Sequence, residues 1–424
     1  MKYLIIGSGG REHSIALKLH KTSELYCISN VLNSELMELC NCYQSCSEIT
    51  HDIILRMCNT NSIDMVIIGS ETFLNDGLSD FLFENSIFCF GPLKMYANIE
   101  LDKSFLRSLL YEKYNPKYYV FENYNEDSIK KVIKLLNNEY VIKYSGIWGG
   151  KGVKLSGTHL KTIENTLAFC KEIIRNNNKI IIEEKLIGQE FSYHSFCDGL
   201  TLRHTIPIKD YKRLYNNDEG PNTGSMGAVS CKDHKLPFLT YDDILEAQNI
   251  NQIVLTNLYK YVQNLYKNSK DPLVLRKIIH GYRGIIYGSF IKTKDGIKVI
   301  EYNSRFGDPE AINLLSLIET NLNSVFKAIK TQELNTINIT FRNEYSLSKY
   351  VVPVGYPIMA SNNLAINIQK ILNYHEKIVF SNINYVNGKY TTSKSRLLSY
   401  INTGSDLKEL INDSEELLST IKGP

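Results

Sequence analysis

The sequence predicts a multidomain α/β protein that opens on a parallel sheet, and three observations lead there. Near the N-terminus, short apolar runs alternate with helical patterns, the signature of an open parallel sheet. Between residues 284 and 311, two apolar strands meet at a Lys294-Asp295-Gly296 turn, a hairpin signal. The length of 424 residues is enough for roughly two to four domains with sizeable cores.

Composition narrows the function classes. Apolar residues at 43% and charged ones at 22% are ordinary for a soluble globular chain. A net charge of +3 is too small to argue for a nucleic-acid or membrane surface. No apolar run reaches spanning length, and the chain enters a strand at once, without the basic and apolar regions of a signal peptide. Nine cysteines, an odd number in a long chain, fit reduced thiols in a cytoplasm better than a disulfide framework. Cys40, Cys42 and Cys46 stand near His51, but their spacing does not match paired zinc knuckles, so a structural thiol group is expected.

Taken in order, KYLIIG is a buried-type strand ending in the turn Gly7-Ser8-Gly9-Gly10. A helix with Ile15, Ala16 and Leu19 follows, then a strand near residues 25–29, a third strand at 65–69, Glu71 and another helix. The turn is not a dinucleotide fingerprint. Glu12 stands at the third glycine position, and the second strand ends at Ser29-Asn30 without a ribose-binding acid. It can still present backbone N–H groups and Arg11 to a phosphate or sugar.

A second unit starts near residue 102. A helix with Phe105, Leu106, Leu109 and Leu110 carries Lys103 at its start, followed by a strand at 118–121, a helix at 127–136 and the strand YVIKY at 140–144. The loop SGIWGGKGV (145–153) is glycine-rich but is not a Walker A motif, because Lys151 is followed by glycine. Lys143 and Lys151 can serve as point charges on phosphate oxygens while the glycines let the backbone close over them. On its own this loop reads equally well as a hairpin with solvated lysines. The strand IIIEE (180–184) leads through Leu186 to Glu190, an arrangement that can hold adenine by backbone groups and ribose by Glu190. The ordinary alternative is a connection between two sheets.

Asp210-Tyr211-Lys212-Arg213 precedes GPNTGSMGA (220–228), whose glycines, proline and asparagine exclude a helix or regular strand. With Lys212 and Arg213 nearby, an anion site is favoured over an exposed turn. The second strand of the 284–311 hairpin ends with Glu301 and Asn303, which share a face because side chains alternate along a strand. Two oxygen donors side by side, with Arg305 beyond, suit a hard cation that also meets phosphates. Gly307-Asp308-Pro309-Glu310 follows, with Asp308 as an expected N-cap, Pro309 as the first helical position and Glu310 at the positive end of the helix dipole. Beyond residue 330, VVPVGYP (351–357) and a helical pattern over 407–421 suit a small α/β cap.

Together these motifs resemble the ATP-grasp superfamily and, within it, the phosphoribosylamine–glycine ligase (glycinamide ribonucleotide synthetase) family. The resemblance runs in order through IIGSGGREH (5–13), YVIKYSGIWGGKGV (140–153), IIIEEKLIGQE (180–190), DYKR (210–213), GPNTGSMGA (220–228) and VIEYNSRFGDPE (299–310). It implies an ATP-grasp fold in four parts: an N-terminal α/β domain over 1–101 on the ribose-phosphate side, a lid over 102–187, a main subdomain over 188–329 and a C-terminal cap over 330–424. It also implies ATP-driven joining of glycine to 5-phosphoribosylamine through glycyl phosphate, a step of de novo purine biosynthesis. Such chemistry rests on positioning and charge neutralisation.

By the same resemblance, Glu301 and Asn303 hold Mg2+ or Mn2+. Lys103, Lys143 and the loop residues Gly149, Gly150, Lys151 and Gly152 cradle the ATP phosphates. Glu183 and the backbone of Glu184 and Leu186 meet adenine, and Glu190 the ribose. Arg305, Lys143 and Asp210 take the catalytic roles, with Arg305 on the transferring oxygens. Lys212, Arg213, Pro221, Asn222, Thr223 and Gly224 join Asp210 in placing glycine and phosphoribosylamine. Gly9, Gly10, Arg11 and Glu71 face the ribose phosphate. A cytoplasmic monomer with no nucleic-acid or membrane partner is expected. The chain departs from the family at Ser29-Asn30-Val31-Leu32-Asn33, where a Pro-Gly-Asn-Ala-Gly turn is usual, at Gly69-Ser70-Glu71 for Gly-Pro-Glu, and at Glu100-Leu101-Asp102-Lys103 for Glu-Gly-Ser-Lys. No acid lies on the strand at 284–291. Another ATP-grasp ligase or carboxylase, or a decayed nucleotide-binding homologue, stands as the alternative.

Overall fold

The computed structural model describes residues 1–146, 152–176 and 179–423. The N-terminal unit is a five-stranded parallel sheet in the spatial order Cys42–Ser45, Glu24–Ser29, Lys2–Ile6, Met65–Ile68, Cys89–Phe90. Chain order reverses on the two sides of the central strand Lys2–Ile6, so the loops after Ile6 and Ile68 meet at the carboxyl ends, where open α/β sheets place ligands. The sequence reading passes over the edge strand Cys42–Ser45, which makes Met65–Ile68 the fourth strand in the chain rather than the third. The Cys40–Cys46 segment is therefore sheet edge. Among the described residues, no group of three or more His, Cys, Asp or Glu is placed to hold a metal.

The next unit is a four-stranded antiparallel sheet, in the order Tyr118–Phe121, Lys179–Glu184, Tyr140–Ser145, Val153–Leu155. Helices Glu126–Leu135 and Ile163–Arg175 cover one face through a core that includes Ile129, Ile142, Cys170 and Ile182. Asn125 and Thr162 cap the two helices through their side-chain oxygens.

The largest element is an eight-stranded antiparallel sheet. It runs from the hairpin Gly296–Asn303 and Arg283–Thr293 through Gln189–Asp198, Leu202–Asp210, Gly227–Ser230, Tyr345–Val351, Leu398–Gly404 and Ile378–Phe380. The expected hairpin forms, with Gly296 at φ +101° where an L side chain is disfavoured. The sheet passes residue 330 without a break, because Gly227–Ser230 pairs directly with Tyr345–Val351. Helices Glu310–Leu317 and Leu322–Thr331 fill the space between this sheet and the N-terminal sheet, where Tyr3, Ile5 and Ile67 share a core with Leu314, Phe326 and Ile285. The opposite face is covered by the 25-residue helix Tyr241–Leu265, started by a Thr240/Asp243 capping box. No helix among the described residues is long and apolar enough to cross a membrane.

Two local expectations change. The helix after the hairpin starts at Glu310 with Pro309 at the N-cap and no side-chain cap bond. Asp308 is drawn away by stronger partners: Tyr350 Oη donates to its Oδ1 at 2.5 Å, and Arg396 sits 3.2 Å from its Oδ2. GPNTGSMGA also contains regular structure. Glu219–Asn222 pairs with Arg213–Tyr215, and Gly227–Ser230 lies inside the long sheet, so only residues 223–226 are loop.

His13 ties the first helix, Gly10–Leu19, to the strand Ile378–Phe380. Its Nδ1 accepts the Phe380 N–H at 2.8 Å, and burial holds its pKa down to about 4. A histidine kept neutral by folding loses stability as pH falls, because the unfolded chain takes up the proton first. We predict that the unfolding free energy of wild type, relative to His13→Gln, shrinks by about 2 kcal/mol between about pH 7.5 and about pH 5. Urea melts at both pH values check this; a difference independent of pH would show that His13 is not held neutral.

Candidate active site

The cleft lies where the sheets converge. Its walls include Glu71 and Glu100 from the N-terminal side, Lys103 at the start of helix Lys103–Leu109, Tyr144, Gly146 and Gly152 from the four-stranded sheet, and Glu301, Asn303 and Arg305 from the hairpin. Asp102 caps the Lys103–Leu109 helix through bonds to the Ser104 and Phe105 N–H groups, which fixes where Lys103 starts.

Glu301 and Asn303 project from one face of their strand, opposite Ser289 and Tyr287. Burial favours the neutral form of Glu301, but Lys103, Lys212, Lys143 and Arg305 outweigh it and hold the carboxylate below its usual range. Among the described residues, no salt bridge or hydrogen bond closes on the Glu301 side chain. An ionised, unclaimed carboxylate beside an amide oxygen is a donor set that suits a hard divalent cation shared with phosphates.

Lys143 does not itself line the cleft; it is almost buried, against the strand that delivers Glu301. Its Nζ is 2.7 Å from Glu183 Oε2 and donates to the Ile300 carbonyl at 2.9 Å. Glu183 is also gripped by Arg107, whose Nε meets Oε1 at 2.7 Å and whose second terminal nitrogen meets Oε2 at 3.1 Å. Burial pushes the carboxyl up, yet the two cations win and hold it at about 2. Burial and the neighbouring guanidinium draw Lys143 below its ordinary range, although Glu183 works the other way. The Glu183 side chain, assigned to adenine by the resemblance, is thus spent on Lys143 and Arg107. The Glu184 N–H donates to the Lys117 carbonyl at 2.9 Å, and Leu186 is half-buried just past the strand end.

Arg305 is shared by two acids: its Nε lies 2.8 Å from Glu71 Oε2, and a terminal nitrogen 3.1 Å from Glu100 Oε1. Arg305 keeps Glu71 ionised, whereas burial drives Glu100 upward against the same guanidinium. Glu71, read as a ribose-phosphate contact, therefore faces Arg305 across the cleft. Arg11 turns inward too, pairing with Glu12 at 2.8 Å and donating to the Phe306 carbonyl at 2.8 Å. Gly9 and Gly10 stand where the first helix begins. The Gly10 N–H donates to Ser381 Oγ, and a Cβ on Gly10 would fall 2.2 Å from the Tyr350 hydroxyl.

Further along the sheet, Lys212 Nζ lies 3.1 Å from Glu190 Oε2 and 3.8 Å from Asp210 Oδ2. Burial opposes its charge, but Asp210, Glu190 and Glu301 raise its pKa. Thr223 hydrogen-bonds twice to the Lys212 carbonyl, and Arg213 donates to the Gly220 carbonyl at 2.9 Å. Pro221 and Asn222 belong to the short strand beside Arg213. The Gly224 N–H donates to Tyr356 Oη, and the Gly224 carbonyl accepts from Arg396. Gly149, Gly150 and Lys151 lie outside the described residues. Gly152 is described, and its carbonyl accepts the Tyr144 N–H at 2.9 Å.

Sequence reasoning missed Arg107, Glu100 and Arg396. Arg107 stands four residues after Lys103, which reads as a solvated helix face unless the strand behind it is known. Arg396 sits in TTSKSRLL, with no pattern to distinguish it. Yet its guanidinium ties the Asp308 carboxylate and carbonyl to the Gly224 and Ser225 carbonyls.

Residues 101–311 match the family described as Phosphoribosylglycinamide synthetase, ATP-grasp (A) domain, and residues 1–100 match Phosphoribosylglycinamide synthetase, N domain. The phosphoribosylamine–glycine ligase of Methanococcus vannielii is 38% identical, over 98% of this chain and 92% of that protein. The one from Methanocaldococcus jannaschii is 35% identical over 100% and 94%. Among solved structures, phosphoribosylamine–glycine ligase from Thermotoga maritima aligns with a TM-score of 0.77 at 23% identity, over 100% of this chain and 97% of that one. An ADP complex of N5-carboxyaminoimidazole ribonucleotide synthetase aligns at 0.65 with 12% identity, over 98% and 96%, a likeness of fold alone. With both family matches in sequence order and a 38% identical relative spanning nearly the whole chain, the protein belongs to the phosphoribosylamine–glycine ligase family of ATP-grasp enzymes.

Proposed function

We propose that this protein joins glycine to 5-phosphoribosylamine with cleavage of ATP to ADP and phosphate, giving glycinamide ribonucleotide for purine biosynthesis. The observation that carries the reading is the cleft that Lys103, Arg305, Glu301 and Asn303 line together, with Lys143 held against the Glu301 strand by its bond to the Ile300 carbonyl. In this reading, a glycine carboxylate oxygen attacks the γ-phosphorus as the bond to the β-phosphate oxygen breaks. Glycyl phosphate and ADP result. The amine of phosphoribosylamine then attacks the acyl carbon, the bond from that carbon to the phosphate oxygen breaks with its electron pair leaving on phosphate, and the amine's proton passes to the departing phosphate.

Both steps move charge between oxygens, so fixed cations aimed at those oxygens are what the site has to supply. Lys103 and Lys143 take the ATP phosphates, and Arg305, already oriented by Glu71 and Glu100, takes the transferring group. Glu301 and Asn303 would hold Mg2+ or Mn2+, whose contribution is to offset phosphate charge. Lys212, steadied by Asp210 and Glu190, stands next to the 223–226 loop, where glycine and the sugar amine are placed. We place the activity in the cytoplasm, in a monomer acting on small molecules, and the net charge of +3 supports partners other than nucleic acid or membrane.

The test is to mix the protein with Mg-ATP and glycine, with and without fresh phosphoribosylamine, and to measure ADP together with glycinamide ribonucleotide. Both should rise in step only when all substrates are present. ADP without that product would overturn the assignment.

A further inference from the structure

Arg107 belongs to none of the motifs above, yet its guanidinium stands at the junction of three elements. It is 2% exposed, on the helix that begins at Lys103. One edge makes a two-point bond to Glu183 in the four-stranded sheet. The other donates to the Val299 carbonyl at 3.0 Å and the Ile300 carbonyl at 2.7 Å, on the strand that delivers Glu301. Lys143 converges on the same Ile300 carbonyl and the same Glu183 oxygen. The planar fork of arginine is suited to bridge a carboxylate and two carbonyls at once; a lysine has one nitrogen for the same work.

We propose that Arg107 is a positioning residue for nucleotide binding, acting through Glu183 on Lys143. Two cations share one carboxylate, so the triad keeps a net positive charge beside the cleft. Without Arg107, Glu183 and Lys143 form a one-to-one pair whose charges cancel, and the lysine is drawn toward its partner and away from phosphate. Arg107 also fixes the four-stranded sheet to the strand of Glu301, which sets the distance between Lys143 and the metal donors. This inference rests on the ATP-grasp reading of the cleft, but not on the identity of the acceptor.

Mg-ADP titration of wild type, Arg107→Met and Arg107→Lys tests it, since ADP binding needs no turnover. The methionine variant leaves a neutral buried pair, and a thermal melt establishes the folded fraction on which each titration is read. Its affinity for Mg-ADP should drop roughly tenfold or more. The lysine variant should recover part of that loss. In the ligase assay, KM for ATP should rise in Arg107→Met while KM for glycine and phosphoribosylamine holds within about twofold. A merely structural role would lower kcat through loss of folded protein and leave ADP affinity in the folded fraction unchanged. Unchanged ADP affinity, or equal weakening of all three substrates, overturns the proposal. If wild type binds Mg-ADP but forms no glycinamide ribonucleotide, the assigned reaction fails while the Arg107 comparison still reads out.

Discussion

Replacing Glu301 by glutamine is expected to lower the ligation rate on the order of a hundredfold to a thousandfold while leaving the protein folded. The reason is the imbalance of charge around this position. Lys103, Lys212, Lys143 and Arg305 all favour its ionised form, strongly enough to overcome burial. Glutamine keeps the volume and the oxygen but removes the charge that draws a divalent cation to this strand. Stability changes little because two effects oppose. The variant no longer buries a carboxylate, but it leaves the surrounding cations with less to face. Lys212 still has Asp210 and Glu190, and Arg305 still has Glu71 and Glu100. Initial rates at saturating ATP and varied metal, together with a thermal melt, check the prediction. A variant that turns over at the wild-type rate would remove the metal role from Glu301.

The strand ending in Glu301 and Asn303 was legible in the sequence because period-two alternation fixes which residues share a face, whatever the sheet does next. The parallel sheet at the N-terminus was legible for a similar reason: three of its strands carry short apolar runs separated by helical patterns. The edge strand Cys42–Ser45 was not, because an edge strand half-exposed to solvent carries no apolar run. Pairing partners were the largest gap. Nothing in GPNTGSMGA announces that its last residues bond to Tyr345–Val351, more than a hundred residues later, since register is set by backbone groups common to every residue. The same gap hid the side-chain partners. Glu71 and Arg11 looked free to meet a sugar phosphate, whereas folding brings Arg305 to the first and Glu12 with the Phe306 carbonyl to the second.

Glu183 is where stability and function separate, and Glu183→Leu is expected to destabilise the protein by on the order of 3–5 kcal/mol. Leucine strands Arg107 and Lys143, both nearly buried, with no anion between them. The depressed pKa of the carboxyl points the same way. The folded-state pKa of Glu183, about 2, is depressed below its ordinary value of 4.5. Its contribution is therefore present above the unfolded value and is lost as pH falls through the folded one, which amounts to about 3 kcal/mol at neutral pH. Both count the cost of leaving the buried cations without their carboxylate. An isolated apolar replacement and a concerted one should then differ. Replacing Glu183, Arg107 and Lys143 together by leucine and two methionines removes every charge of the triad, and burying apolar groups of similar size is often neutral or favourable. The triple variant should melt near wild type while binding Mg-ADP far more weakly, and the single variant should melt well below both. Denaturant melts and Mg-ADP titrations on the three proteins decide it. If Glu183→Leu unfolds at the wild-type midpoint, the triad does not hold the sheets together; if the triple variant binds ADP normally, Lys143 does not carry the phosphates.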